Sequence, residues 1–360
     1  MAEILLIQGR KPTALIRRVT RKAVALARQP RIRFATLGRP GLQFSIKTAA
    51  DAGPKGDVWG DVFFANDLAE SLRRLGHTVF VDRLGEAVRP SGSRGDDVVI
   101  HLRGLHRTYA VEGAVNILWV ISHPDLVDDD ELRSGFDIAF AAGAQWAREK
   151  TAHSGVNVRP LLQATNPRRF HPGAPTESLK TDVLFLGKSR NVFRPVVRDA
   201  IHSGADVSIY GDGWAQFIDP RYIRAEFLEN DRVPDAYRSA RVVLNDHWDD
   251  MKQHGFLSNR LFDAVACGAV VITDDIVGAE SIFGTSVARY KAVEDLKNLM
   301  AADFDWPSES QRLRTFRSLR ANHSFDSRAR TILASIRVRL IRRLVGSLLR
   351  SFRRALARNS

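Results

Sequence analysis

Two rhythms of apolar and polar positions alternate along the chain. Short runs such as "TVFVD", "DDVVIHLRG", "VNILWVISHP" and "FDIAFAAG" are almost continuously apolar, the pattern of strands in a parallel sheet covered on both faces. Ahead of them, "WGDVFFANDLAESLRRLGH" places Val62, Leu68 and Leu72 on one face of a helix that stops at Gly76. "RIRFATLG" and "LQFSIKTA" read as extended, and "VNVRPLLQA" closes the series. The stretch "TNPRRFHPGAPTESLK", Thr165 to Lys180, is rich in Pro, Gly and Ser and has no apolar rhythm, so it reads as a linker. Beyond it the βα alternation starts again with "TDVLFLGKSR" and runs through "RPVVRDAIHSG", "ADVSIYGDGW", "VPDAYRSA", "RVVLND" and "VVITDD". Two βα domains joined by one linker imply a cleft between them, with ligands at the carboxyl ends of the strands.

A chain of 360 residues with 44% apolar residues can fill two such cores. The single cysteine, Cys267, sits in an apolar helix-to-strand junction and reads as a small buried hydrophobe in a reducing compartment. No run approaches the ~18 apolar residues of a membrane span, and the start "MAEILLIQGRK" does not have the form of a secretory signal. A cytoplasmic protein, peripheral on the inner face of the cell membrane, is therefore expected.

Charge changes this picture at the ends only. Of the net +13, residues 1–40 carry +9 and residues 336–360 carry +8, which leaves the body at −4. A basic stripe across the folded body, expected of a duplex-binding enzyme, is missing from this distribution. The tail places Ile341, Leu344, Val345, Leu348, Phe352 and Leu356 at helical spacing with arginines between them, an amphipathic pattern suited to an anionic bilayer surface or to a solvated basic face. "TALIRRVTRKAVALAR" is a weaker version of it.

Candidate chemistry gathers at the strand ends of the second domain. After "VLFLG", Gly187 permits a sharp turn, and Lys188, Arg190 and Arg194 bring cations to the start of the next helix, the outline of an anion site. Gly211, Gly213 and Trp214 follow "VSIY", and Trp214 reads either as a stacking face for a base or as core. Asn245 opens "NDHWDDMKQHG", a dense polar and aromatic loop without zinc-ligand spacing, so no metal is expected. In "GFLSNRLFDAVACGAVVITDD" Gly255, Ser258, Asn259 and Arg260 lead into a helix and converge where a diphosphate could bind; Asp263, one turn along, is placed for a ribose or sugar hydroxyl.

The block "VPDAYRSARVVLNDHWDDMKQHGFLSNRLFDAVACGAVVITDD" resembles the donor-binding core of group-1 GT-B glycosyltransferases, in the branch similar to the spore maturation protein CgeB. The resemblance implies two Rossmann-like βα domains facing a central cleft, with basic amphipathic helices added at both termini. It divides the chain into a basic segment (1–40), an acceptor domain (41–172), a nucleotide-sugar donor domain (173–325) and a basic helix (326–360). "DAVACG" puts Asp263 where the family has an acid on the donor ribose, while Gly255 stands where the family has a second Glu. Lys188 and Arg194 match the basic pair that meets the diphosphate, and Glu226 to Val233 borders the base. "KGDVWGD" places Gly60 and Asp61 at the acceptor side of the cleft, and His123, after "WVIS", falls near the reacting sugar as base or orienting group. The implied activity is transfer of a sugar from a nucleotide-diphosphate sugar to a glycan or lipid-linked hydroxyl in cell-envelope synthesis, with Asp61 and His123 catalytic, no cofactor beyond the donor itself, and no specific nucleic-acid partner. Two other readings fit the residues: a non-catalytic nucleotide- or nucleic-acid-binding protein with basic tails, and a transferase fold that has lost activity.

Overall fold

The computed structural model describes residues 41–91 and 95–339. The first lobe is a six-stranded sheet in the order β2-β1-β3-β4-β5-β6, built from β1 (Gln43–Asp51), β2 (Thr78–Leu84), β3 (Val98–Arg103), β4 (Val115–Val120), β5 (Ile138–Ala141) and β6 (Val158–Pro160). The second is a six-stranded sheet in the order β12-β11-β10-β7-β8-β9, from β7 (Thr181–Leu186), β8 (Val207–Tyr210), β9 (Ile223–Ala225), β10 (Ala240–Asn245), β11 (Val271–Thr273) and β12 (Val287–Arg289). The pairings within both sheets are parallel. The continuous apolar runs behave as their composition dictates: every residue of β3 and β4 is buried, and the two pair in unbroken register from Val98–Val115 to Arg103–Val120. The helix Gly60–Arg74 lays Phe64, Leu68 and Leu72 on this sheet, in one core with Phe44, Ile100 and Trp119.

Strand order reverses once in each sheet, between β1 and β3 in the first and between β7 and β10 in the second. The loops that leave neighbouring strands in opposite directions open a crevice at such a point. Both crevices face the gap between the lobes, and this places the site.

The chain crosses that gap twice. Thr165, the start of the expected linker, receives the chain on its return: its N–H donates to the His323 carbonyl at 3.0 Å, and the Phe325 N–H donates to the Thr165 carbonyl at 3.1 Å. Residues 325–339 then form a helix whose Phe325, Ala329, Ile332 and Ile336 complete the first lobe's core. The opening of the segment expected as a separate basic helix is thus core of the first lobe. The amphipathic positions Ile341 to Leu356, the basic segment 1–40 and the extended "RIRFATLG" lie outside the described residues. Among the described residues no helix is long and apolar enough to cross a membrane.

Candidate active site

Each side of the cleft is assembled from strand ends at the two reversal points. From the first lobe come Asp61, at the start of the helix Gly60–Arg74, and Ser122 and His123 after β4. From the second come Gly187 and Lys188 after β7, Gly211 after β8, and Asn259, Arg260 and Asp263 on the helix Asn259–Ala266. They enclose two adjoining chambers, of about 380 Å³ and about 340 Å³, and Asp61, Ser122, Asn259 and Arg260 border both.

The larger chamber has a cationic floor. Gly187 and Gly211 let the β7 and β8 loops close against each other: a Cβ on Gly211 would lie 2.0 Å from the Gly187 carbonyl oxygen, so no other residue fits there. Lys188 is exposed into this chamber, and no described residue pairs with its ammonium. Arg260 lies with its guanidinium over the Phe185 ring, 5.3 Å from the centroid, and donates to Asn245 Oδ1 at 3.0 Å. Burial presses its pKa below the ordinary arginine value. Away from these cations, Tyr210, Phe227, Leu228 and Val233 line a more apolar end with Glu226 and Asn230.

Asp61 stands at the waist between the chambers. No described residue hydrogen-bonds to its carboxylate, and burial raises its pKa to about 6. Gly104 preserves the room around it, since a Cβ there would come within 3.3 Å of Asp61 Oδ2 and 3.2 Å of Ser122 Oγ. A carboxyl that titrates this near neutrality, with free lone pairs in a cleft, has the properties of a general base.

Asp263 lines the larger chamber but is only 8% exposed, and it is already engaged. Its Oδ1 accepts from Thr165 Oγ1 at 2.7 Å and its Oδ2 from Asn259 Nδ2 at 2.6 Å. Burial holds its pKa well above the usual carboxylate value, the Thr165 and Asn259 bonds opposing that rise and Asp67 adding to it. One residue further along the linker, Asn166 Nδ2 donates to Asp67 Oδ1 at 2.8 Å, so consecutive residues tie the linker to one helix of each lobe.

Several expected ligand groups turn out to be supports. Arg194 is 2% exposed and its guanidinium is spent on Asp246, through Nε at 2.9 Å and a second, shorter bond from Nη2; Nη1 donates to the Lys188 carbonyl at 2.8 Å. It holds the Lys188 loop and is absent from the larger chamber. Trp214 is 1% exposed, packs edge-on to Phe185 and donates Nε1 to the Gly187 carbonyl at 2.8 Å, so its indole offers no stacking face. Gly213 abuts Ser189 behind the same loop. Asn245 is fully buried, bonds Thr273 Oγ1 at 2.9 Å and orients Arg260 and Ser258 through Oδ1. The amide at the helix start is occupied as well: Ser258 N–H donates to His247 Nε2 at 3.0 Å, and His247 Nδ1 faces Asp274 Oδ1 at 2.6 Å, a pairing that fixes the imidazole tautomer. Gly255 turns the chain with φ 68°, its N–H bonded to the Lys252 carbonyl, and borders neither chamber.

His123 borders only the smaller chamber, apart from Lys188 but with Arg190 and Arg260 on the same walls. It has φ 50°, its ring is 5.3 Å from the Trp248 ring, and its Nδ1 is 3.9 Å from Asp250 Oδ2. Burial lowers its pKa, and the neighbouring Arg190 lowers it further against the pull of Asp250. Residues that sequence reading did not single out complete the cleft: Ser122 follows a strand of the first lobe with Gly104 packed beside it, Arg169 lies under the larger chamber with a buried Nε that has no partner, and Trp59 and Trp248 wall the smaller one. Trp59 and Trp248 were signalled only by large aromatics in polar loops.

Two parallel six-stranded sheets with their strand-end crevices facing across a double crossover are the GT-B glycosyltransferase architecture. The particulars come from residues 188–334, which match the family described as glycosyl transferase-like. The structure of T4 phage BGT in complex with its UDP-glucose substrate is similar at a TM-score of 0.53 and 12% identity, over 82% of this chain and 99% of that chain. An alpha-glucosyltransferase in complex with UDP-glucose and DNA containing an abasic site aligns over 82% of this chain and 99% of that one, at TM-score 0.49 and 10% identity. The glycotransferase of kitacinnamycin aligns over 83% and 100%, at 0.46 and 12%. No curated protein sequence matches the chain.

Proposed function

We propose that the protein is a glycosyltransferase that moves a sugar from a nucleotide-diphosphate sugar to a hydroxyl acceptor, and that it belongs to the CgeB-like branch. One observation carries the reading: Asp61, an unpartnered carboxyl with a pKa of about 6, and the cations Lys188 and Arg260 border a single cavity between the strand ends of two lobes. The larger chamber takes the donor. Its nucleoside lies toward Tyr210 and the Glu226–Val233 segment, and its diphosphate lies against Lys188 and Arg260, which oppose the charge that develops as the sugar–phosphate bond breaks. The acceptor enters from the smaller chamber. Asp61 takes the acceptor hydroxyl's proton as the new bond to the sugar's anomeric carbon forms and the bond to the diphosphate oxygen breaks, a single displacement that inverts the anomeric configuration.

Asn259 supports donor binding from the waist, since its Oδ1 is buried without a partner and fits a donated hydroxyl. The strongly basic ends of the chain support an acceptor presented at an anionic surface, such as a lipid-linked glycan on the inner face of the cell membrane. The test is incubation with UDP-glucose and other nucleotide-diphosphate sugars while release of the nucleotide diphosphate is followed. Slow hydrolysis of one donor without acceptor, lost in Asp61→Asn, is the expected result; thermal-shift binding of no nucleoside diphosphate would remove the reading.

A further inference from the structure

Three non-glycine residues among those described have positive φ, namely His123 (50°), Arg190 (63°) and Asn191 (59°). Two of them, His123 from the first lobe and Arg190 from the second, line the smaller chamber. Backbone in that region is disfavoured for residues other than glycine, and such outliers collect where a side chain must be aimed. Both side chains here are aimed at Trp248: the Arg190 guanidinium carbon is 4.0 Å from the indole centroid, and the His123 ring is 5.3 Å from it.

Arg190 differs from the other arginines of the cleft. Arg194 has Asp246, and Arg260 has Asn245 and borders both chambers. Arg190 makes no hydrogen bond or ion pair with any described residue, borders only the smaller chamber, and has its pKa lowered to about 10 by burial and then by Arg260, with Asp274 opposing them. A half-buried guanidinium resting on an indole with no carboxylate in contact has its hydrogen-bond donors free for an anion. The diphosphate place proposed above lies in the other chamber, between Lys188 and Arg260. Trp59, Leu105 and Met251 give this chamber an apolar side and Ser122, Ser258 and Asn259 a hydrogen-bonding one; of its two carboxylates Asp246 is held by Arg194 and Asp61 stands at the waist, so the chamber suits a body with nonpolar and hydroxyl-bearing surface and one anionic group at Arg190.

We infer that the smaller chamber is an acceptor subsite in which Arg190 binds an anionic group, a carboxylate or a phosphate, carried by the acceptor beside the hydroxyl that is glycosylated. This rests on the transferase reading and adds the chemical class of its acceptor. Trp248 positions the guanidinium, and neutral His123 supplies a hydrogen bond to the same anion.

The experiment uses the full chain saturated with UDP, so that the donor chamber is filled, and titrates it with phenyl phosphate, 4-hydroxybenzoate and neutral 4-hydroxybenzamide by calorimetry and tryptophan fluorescence. The expected outcome is that one or both anionic probes bind at least about tenfold more tightly than the amide. Whichever anion binds more tightly distinguishes phosphate from carboxylate. Arg190→Met should abolish that preference with UDP affinity and thermal midpoint unchanged, and Arg190→Lys should retain part of it. Equal binding of charged and neutral probes to the wild type overturns the inference and leaves the donor site standing. So does a tenfold loss of UDP affinity in a folded Arg190→Met, which would return Arg190 to the diphosphate. Failure of UDP to bind the wild type overturns the transferase reading, and this inference falls with it.

Discussion

Asn259 reaches forward one turn of its helix to Asp263, donating Nδ2 to Oδ2 at 2.6 Å, and the same side chain is left with a buried Oδ1 that has no partner. The pair divides the work expected of the acid alone. Asp263 accepts one bond on each oxygen, from Thr165 and Asn259, and anchors the linker, while the carboxamide oxygen at the waist stays free for a ligand hydroxyl. Replacing Asn259 by Ala removes that acceptor. Affinity for the nucleotide-sugar donor should fall by about tenfold, the worth of one hydrogen bond in a dry site, while affinity for the free nucleoside diphosphate falls less; calorimetric titration of both ligands measures the difference.

Asp61 makes opposite predictions for activity and stability. As a base it must be ionised, so kcat should rise through pH of about 6 and level off above it. Asp61→Asn should lower transfer by about 10²–10⁴-fold with donor binding preserved. Stability runs the other way. The folded-state pKa of about 6 exceeds the ordinary aspartate value of 3.8, so between these values the folded protein keeps a proton that the unfolded chain has released. Stability therefore falls as pH climbs through this window, and the full penalty is present at neutral pH. Asp61→Asn, neutral at every pH, should raise the thermal midpoint at pH 7, by an amount corresponding to about 3 kcal/mol at most, and should lose the advantage below pH 4. Thermal melts of the two proteins across pH read it directly.

Lys188 and Arg260 are the two cations left to meet a leaving diphosphate. Each Ala substitution should depress donor turnover by about 10²-fold, with a larger effect on kcat than on the binding of a neutral nucleoside. Raising salt should weaken nucleoside diphosphate binding in the wild type more than in Lys188→Ala, because the exposed ammonium is the better screened of the two.

The strands were legible because their burial on both faces writes itself as continuous apolar runs: "VNILWV" is β4 residue for residue. The helix Gly60–Arg74 and the crossing near Thr165 were legible for equally local reasons, an apolar stripe with a glycine stop and a loss of rhythm. β9 and β12 were missed, since these three-residue edge strands are only partly buried and write no apolar run, unlike the equally short but fully buried β11. The docking of residues 325–339 into the first lobe was also hidden, because nothing in an amphipathic helix says which sheet it covers. In the site, sequence reading found the strand ends but could not assign partners. Lys188 and Arg194 look alike in "GKSRNVFR", and only the folded chain shows that Asp246, 52 residues further on, claims the second. The helix start before Asn259 looked like free amides until His247 was found occupying one of them.

Arg194 gives the sharpest test of that reassignment. If its role is to brace the Lys188 loop against Asp246, its loss is a folding defect, and the charge it leaves behind is the cause. Arg194→Met strands a buried Asp246 carboxylate and should cost about 3–5 kcal/mol in denaturant unfolding. Removing both partners, Arg194→Met with Asp246→Leu, removes the uncompensated charge together with the pair, so most of the lost stability should return. In the double variant Lys188 loses the bond from Arg194 Nη1 to its carbonyl but keeps its ammonium. Nucleoside diphosphate affinity should therefore drop only about two- to threefold, a modest loss of positioning with no loss of charge at the phosphates. A diphosphate ligand in the position of Arg194 would behave differently: its stability effect would be small, and affinity would fall by at least tenfold in the single and double variants alike. Unfolding curves and UDP titrations on the four proteins of the cycle separate the two roles.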